Sequence, residues 1–494
     1  MFNFFSKDDD KLFLWKIIFF SLIITIIVQA LLYLQGYYSF SGDESDRTLL
    51  AYSWLIGKMP QDEPWLPFHT IINGIFLKYF FNLFWTPRIV GSIFSLLSVS
   101  AIIWFSQVIL KDRTVTVITA ILTVFFPPFV ILRAVPLSEV MYFFFIVSGA
   151  SCLFQWLETR KYVFLIFVAL LFAFAGSVRY EGWIFCGSFT IFLLIEFYTR
   201  KEIQFKLITI LSIIVLSFPV FWIMKNMYET GNPFEFIVSS SERYKLHFGF
   251  SVIPMLKYNL ITQFIYQNII YLNFAGFFSL LFYLLTDSRV RRWIVTFSLS
   301  FLFLAILSIL GLAMPSHSYW RIPLIWNILL IPFTAHFIIK FSSFLAETLK
   351  KRTKTVLMTI ISVLIIYFSF QIKRIISFSY FSKDDIYAGN FLRENVIENN
   401  NHFKILVDTS DWNYLNVMVA SNHPQYFLIN AQKDPALPTN QIVRYGKKID
   451  IDYLNDSRIH YLLFENKDLI GFIKRNPSLI KVKELGEWEL YKVK

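Results

Sequence analysis

Eleven windows of about twenty mostly apolar residues, spread along nearly the whole chain, dictate its fold before any single residue is considered. A bilayer core about 30 Å thick needs about 20 such residues per helical crossing. The windows run near 12–35, 89–110, 114–132, 137–157, 161–178, 183–199, 206–226, 268–286, 290–313, 319–340 and 355–376. Composition agrees: 56% of the 494 residues are hydrophobic, 57 are Phe and only 16% are charged, with a mean hydropathy of +0.55. The expectation is a polytopic α-helical membrane protein with about 11 transmembrane helices.

Short loops that are rich in Lys and Arg stay cytoplasmic, and here they alternate. With the N-terminus inside, the cytoplasmic turns carry Lys111 and Arg113, Arg160 and Lys161, Arg200 to Lys206, Arg289 to Arg292, and Lys350 to Lys354. The outer loops hold isolated cations such as Arg133, Arg179 and Arg321. An odd number of crossings puts the C-terminus outside. The net charge of +12 is then mostly topological and implies anionic membrane lipids as neighbours, not nucleic acid. Cys152 and Cys186 both fall inside predicted helices, so no disulfide framework is expected. The first helix lacks a small-residue cleavage site and reads as an uncleaved anchor.

From about residue 379 the chain turns polar, which divides it into a membrane domain (1–378) and an extracytoplasmic soluble α/β domain (379–494). FKILVD (403–408), YFLI (426–429), HYLLFE (460–465) and the pair LIKVKEL and EWELYKV around Gly486 read as strands. Residues 411–420 and 467–475 read as helices between them.

Ionisable residues are nearly absent inside the windows, so chemistry is expected in the outer loops. The first, Gln35 to Arg88, opens with FSGDESDR (40–47). Asp46 is expected to cap a short helix over RTLLAYSWLIG that ends at Gly57. The aromatic stretch 63–85 suits a segment lying in the interface. Asp43 and Glu44 then sit at the membrane surface. Taken alone, GDESDR also reads as a solvated turn with helix-capping acids.

The loop as a whole resembles the start of the class C glycosyltransferases, and within them the protein O-mannosyltransferase and lipid A aminoarabinose transferase branch. The likeness lies in the acidic pair after the first helix, a short helix, a Gly, EPWLP with His69, an amphipathic segment and TPRIVGSIFSLLSVSAIIWF (86–105). RAVPLSE (133–139) places Glu139 where the family often has another outer carboxylate, and RYEGW (179–183) opens the sixth helix. HSYWRIPLIWNILLIPF (317–333) resembles the family's late Arg-aromatic-Pro helix. The resemblance covers about residues 35–340. Two departures leave the acceptor open: the Trp-Trp-Asp motif of oligosaccharyltransferases is reduced to DWNY at 411–414, and the large inserted domain of eukaryotic O-mannosyltransferases is missing.

The resemblance implies a GT-C-like fold with interfacial helices in the first outer loop, and a sugar donor joined through phosphate to a polyisoprenol. The acceptor would be a lipid, a glycan or a protein outside the cytoplasm. An attacking hydroxyl needs a base, and the family places its base in the acidic pair, which implies Asp43, or Glu44 if the register shifts. Glu139 would position acceptor or metal, or with Ser138 simply cap the fourth helix. The leaving phosphate needs fixed cations and no general acid. Arg179 and Arg321 are the candidates, with Arg243 and Lys245 as alternatives, although lone outer arginines also serve as interfacial anchors. His69 and His317 would hydrogen-bond sugar or phosphate, or be structural. Asp43, Glu44 and Glu139 offer oxygen ligands without diagnostic spacing, which leaves a divalent metal open. The loop 228–267 reads either as a lid over the donor or as a fixed interfacial loop. A transporter or flippase, expected to carry ionisable residues near mid-membrane, and a non-catalytic assembly factor are the competing classes. The richness in Ile, Phe, Lys and Asn points to an AT-rich bacterial genome, and so to a bacterial plasma membrane with the active face outward.

Overall fold

A computed structural model describes residues 8–58, 65–199, 204–238, 260–309, 321–377, 383–398, 403–408, 413–430, 459–465 and 478–494. Helix α1 (Asp8–Leu34) leads into the first loop, which carries α2 (Asp43–Leu55) and α3 (Pro67–Tyr79). There follow α4 (Trp85–Leu110), α5 (Arg113–Phe125), α6 (Pro127–Arg133), α7 (Glu139–Thr159), α8 (Val163–Val178), α9 (Glu181–Thr199) and α10 (Phe205–Thr230). The membrane part ends with α11 (Leu260–Ile270), α12 (Ala275–Thr286), α13 (Ser288–Ile309), α14 (Leu324–Thr348) and α15 (Thr353–Ile376).

Among the described residues eight helices are long and apolar enough to cross a membrane: α1, α4, α7, α9, α10, α13, α14 and α15. The pairs α5–α6 and α11–α12 are bent by 60° and 105°, and α8 is a shorter apolar helix. All eleven sequence windows fall on these elements, and by length and composition eight span a membrane, or up to ten if each bent pair counts once. The first break has a chemical cause, and both have a local repair. Pro127 and Pro128 force Phe126 into extended backbone, with φ −61° and ψ 111°, which stops α5. The wholly buried Arg133 then donates from Nη2 to the Val124 carbonyl at 2.6 Å, near the end of α5. Arg133 therefore works inside the bundle rather than in an outer loop beside acids. At the second break Asn268 Nδ2 donates to Asn327 Oδ1, Asn273 Nδ2 donates to the Asn327 carbonyl, each at 2.7 Å, and Thr334 Oγ1 donates to Asn273 Oδ1 at 2.5 Å.

α7 lies at the centre, with Phe143 against Phe129 of α6 and Gly149 facing Phe172 of α8, while Phe154 and Phe105 are buried in the same core. Phe19, Phe20, Ile213, Phe221 and Phe370 are exposed on the outer helices α1, α10 and α15, the place for lipid. The two ends of α7 divide the charges. Near its C-terminus Glu158 meets Lys111 and Arg289, while Glu196 takes Arg160 and Arg292 at 3.1 and 3.0 Å. Three of the turns assigned to one side by their Lys and Arg content, those of Lys111, Arg160 and Arg289 to Arg292, do come together there.

The polar C-terminal part builds a five-stranded sheet in the order β2-β1-β3-β5-β4. α16 (Lys383–Leu392) precedes β1 (Ile405–Asp408); α17 (Tyr414–Ser421) leads to β2 (Phe427–Asn430), then β3 (Tyr461–Glu465), β4 (Leu479–Leu485) and β5 (Trp488–Val493). β1 runs parallel to β2 and β3, and β5 antiparallel to β3 and β4. The expected strands are all present, and Gly486, at φ +71°, makes the two-residue turn between β4 and β5. The helix expected at 467–475 lies outside the described residues, and α16 is an element the sequence reading lacked.

Candidate active site

The first loop supplies the site's frame. α2 starts at Asp43 with Gly42 as its N-cap, so Asp46 belongs to the first turn and is not the cap the sequence suggested. Gly57 ends the helix as expected: at φ +69° it lets its own N–H reach the Trp54 carbonyl and that of Lys58 the Ser53 carbonyl. Asp43 and Arg47 are four residues apart and share a helix face. Glu44 faces elsewhere. Its buried carboxylate accepts the backbone N–H groups of Phe40 and Ser41 and the Ser41 hydroxyl, at 2.8 to 3.1 Å. Burial, and Asp43 beside it, push the Glu44 carboxyl above its ordinary range, while those bonds act the other way. It organises the loop that enters α2.

Asp43 faces a charge chain drawn from separate parts of the sequence. Asp43 Oδ2 lies 2.5 Å from Arg321 Nη2, and Arg321 Nη1 lies 3.2 Å from Glu139 Oε1. The same Glu139 oxygen takes Arg179 Nη1 at 2.7 Å, and Arg179 Nη2 reaches Glu181 at 2.7 Å. The chain alternates in sign across α2, the segment before α14, the start of α7 and the α8–α9 turn. This is the end of α7 opposite the basic turns. Burial works against charge on Arg179 and Arg321, but their carboxylates outweigh it and hold both guanidiniums above their ordinary value. Arg47 has no such partner within 4 Å among the described residues. It stacks over the Trp65 ring at 4.3 Å, and burial pushes it down to about 10 against the pull of Glu139 and Asp43.

His69, on α3, is also buried. Asn73 Nδ2 donates to His69 Nε2 at 3.2 Å, which leaves the ring proton on Nδ1. Burial, then the charge of Arg47, press the imidazole down to about 3. Unfolded histidine binds a proton below about pH 6.5 while the folded ring refuses one, so stability should fall as pH drops from about 6.5 towards 3. The slope from this group is about 1.4 kcal/mol per pH unit. His69→Gln is expected to flatten that acid limb of apparent Tm between pH 6.5 and 5; an unchanged limb would mean that His69 is protonated in the fold.

The site is charged, enclosed and incompletely satisfied. Arg321 Nε and Nη1, Arg47 Nε, His69 Nδ1, Asn73 Oδ1 and Glu139 Oε2 are buried without hydrogen-bond partners. Buried polar groups of this kind are costly unless something uses them, and ion-pair networks taken out of water are poor sources of stability. Of the expected residues, Asp43, Glu139, Arg179 and Arg321 are joined directly and His69 sits within electrostatic reach; Arg243, Lys245 and His317 lie outside the described residues. Ser138 caps nothing: its hydroxyl accepts from Arg179 at 3.4 Å. Among the described residues no three His, Cys, Asp or Glu side chains converge as a metal site, and Asp43, Glu139 and Glu181 are each matched to an arginine.

No family model matches the sequence, and no curated protein sequence matches it. Solved structures do. The chain is similar to ArnT from Cupriavidus metallidurans bound to undecaprenyl phosphate, with a TM-score of 0.64 at 9% identity over 96% of this chain and 97% of that one. The apo state of the same protein gives 0.60 at 10% identity, over 95% and 97%. The archaeal oligosaccharyltransferase AglB from Archaeoglobus fulgidus, in complex with an inhibitory peptide and a dolichol-phosphate, gives 0.52 at 11% identity, over 93% of this chain and 70% of that one. The chain has the class C glycosyltransferase fold. In this class C scaffold the first loop, the starts of α7 and α14 and the α8–α9 turn meet at one end of the bundle. Sequence reasoning named four of the five members of the charge chain there as site residues. The fifth, Glu181, is the ion-pair partner of Arg179 two residues before it. Arg47 and Asn73 went unassigned, although each carries a readable signal: Arg47 follows Asp43 by four residues and Asn73 follows His69 by four.

Proposed function

We propose that this chain is an integral-membrane glycosyltransferase that moves a sugar from a polyisoprenyl-phosphate donor to an acceptor outside the cytoplasm. The observation that carries the reading is Arg321. It is buried and ion-paired through Nη2 to Asp43 and through Nη1 to Glu139, and its Nε is a buried donor with neither an ion-pair nor a hydrogen-bond partner. A phosphate oxygen is an acceptor that such a buried, charged donor suits. Arg47, with its unpartnered Nε, sits one helical turn beyond Asp43 on the same face of α2 and adds a second cation. All three nitrogens of Arg179 already donate to Glu181 or Glu139, so its work is to hold Glu139.

Asp43 is the base in this reading because it is the carboxylate an acceptor can reach. Its side chain is 32% exposed, against 1% for Glu139 and 12% for Glu181. The hydroxyl proton passes to Asp43 as the acceptor oxygen bonds to the anomeric carbon, and the sugar–oxygen bond to phosphate breaks with its electrons on the phosphate. Arg321 and Arg47 stabilise that charge in an enclosed site. The ArnT and AglB structures hold undecaprenyl phosphate and dolichol-phosphate, which supports the same donor class here. Apart from Arg133, the ion pairs of the membrane part lie at the two ends of α7 rather than at mid-span, which favours an enzyme over a transporter. The direct test is release of polyprenyl phosphate from a synthetic polyprenyl-phosphate sugar by the purified protein with envelope-derived acceptor. No release with any sugar donor would end the reading.

The same reading places the charge chain and the C-terminal domain outside a bacterial plasma membrane. Lys481→Cys should then react with an impermeant maleimide on intact cells, and Arg352→Cys only after the membrane is opened; both side chains are exposed. The reverse pattern inverts the topology.

A further inference from the structure

α2 has two working faces. At about 100° per residue, Ser45, Leu49 and Tyr52 fall on the stripe opposite Asp43 and Arg47. That second stripe is covered by the C-terminal domain. The Ser45 hydroxyl donates to Asn416 Oδ1 at 2.7 Å; Asn416 Nδ2 donates to Asp385 Oδ2 at 3.0 Å; and Trp488 Nε1 donates to the other Asp385 oxygen at 2.9 Å. All four side chains are buried, 2% exposed at most. Leu49 packs onto the domain's own core, and the Tyr52 hydroxyl donates to Gln425 at 3.1 Å. The far end of the same C-terminal helix grips the end of the first loop, where Asn422 Oδ1 accepts the Leu83 N–H at 2.7 Å.

We infer that the C-terminal domain is a positioning element that holds the Asp43–Arg47 helix in place, with Asn416 as the coupling residue. The inference rests on the proposed glycosyl transfer for its effect on rate. The physical ground is the cost of a half-made network: a buried amide that links Ser45 to Asp385 has no water to fall back on. It therefore fixes the rotation and height of α2 relative to the sheet. Asp43 sits two residues from Ser45, so a turn of α2 about its axis moves Asp43 relative to Arg321, which is anchored elsewhere. Nothing in the soluble domain reaches the charge chain itself among the described contacts. Its influence passes through α2.

The test uses the full chain in nanodiscs, with Ser45→Ala, Asn416→Ala and the double variant. Two readouts are needed: hydrogen–deuterium exchange of residues 43–55, and steady-state transfer normalised to folded protein. Exchange over α2 should quicken about tenfold in each single variant and little more in the double, as coupled sites require. Turnover should fall about tenfold while KM for the donor rises less than about threefold, because Arg321 stays in place as Asp43 shifts. Ser45→Thr, which keeps the hydroxyl, should restore most of the protection, and Tyr52→Phe, at an exposed bond, should change neither readout. Folded Ser45→Ala with wild-type exchange and turnover overturns the inference. If Asn416→Ala fails to fold, the Ser45 variant alone decides. A wild-type protein that transfers no sugar defeats the proposed function, and the exchange measurement still shows whether the domain holds α2.

Discussion

Asp43→Asn should lower sugar transfer by roughly a hundredfold or more, the scale of losing a general base, while the protein folds and still binds its donor. The change keeps shape and volume and removes only the ability to take a proton. Little of the core depends on it, since the Asp43 side chain is about one-third exposed. Donor affinity should hold or improve, because Arg321 loses a competing anion at 2.5 Å and keeps Glu139 beside it. That combination, slower turnover with unweakened binding, separates a lost base from a damaged fold. Asp46→Asn serves as the comparison: Asp46 sits in the first turn of α2 without capping it, and a change of well under 1 kcal/mol is expected there. Glu44→Gln should lower apparent Tm more than turnover per folded molecule, because Glu44 spends its oxygens on Phe40 and Ser41. Full activity in Asp43→Asn together with loss in Asp46→Asn would show that the base is the other acid. Full activity in all three would leave the acids of the loop without a chemical part.

What the sequence made legible follows from which forces act locally. Apolar windows report helices directly, because a lipid-facing segment has few ways to satisfy its backbone. Every window accordingly lies on a helix or a bent pair. Strand alternation and the Gly486 turn are local as well. The charge chain is different in kind. Arg321 and Asp43 are 278 residues apart, and no periodicity says that the start of α14 comes to rest against the start of α2. The resemblance of motifs named those residues, and the packing of α7 against its neighbours supplied the reason they meet. Arg133 shows the opposite failure. It stood in an apparent outer loop, yet Pro127 and Pro128 fold the chain back so that its guanidinium caps α5 inside the bundle. The role of Asp46 was misjudged by one turn because Asp43, Glu44 and Asp46 are all good first-turn residues and only the position of Gly42 decides among them. The contact between α2 and the C-terminal domain was illegible for the same reason as the charge chain: Ser45 and Asn416 are 371 residues apart.

Arg321→Ala should cut kcat/KM for the donor by about thirtyfold to several hundredfold, equivalent to about 2 to 4 kcal/mol for a charge-assisted bond to phosphate in an enclosed site. Both substrate binding and turnover should suffer, because the phosphate carries charge in the ground state and gains more as the sugar leaves. Part of any loss comes from another source: without Arg321, Asp43 and Glu139 face each other with one cation fewer between them. The double variant Arg321→Ala with Asp43→Asn relieves that repulsion, so donor affinity that stays low in the double variant belongs to the missing phosphate contact. Lysine at 321 should rescue only in part, since a point charge can meet one carboxylate or one phosphate oxygen but does not reproduce a guanidinium that pairs with Asp43 and Glu139 through its two Nη atoms and keeps Nε as a further donor. Arg179→Ala gives the informative contrast. Arg179 has its donors filled by Glu139, Glu181 and Ser138, so its removal should loosen Glu139 and lower apparent Tm, with a smaller change in donor binding than Arg321→Ala produces. If instead Arg179→Ala abolishes polyprenyl-phosphate binding while Arg321→Ala binds as tightly as wild type, the phosphate sits at the α8–α9 turn and the carboxylates around Arg179 must open to admit it.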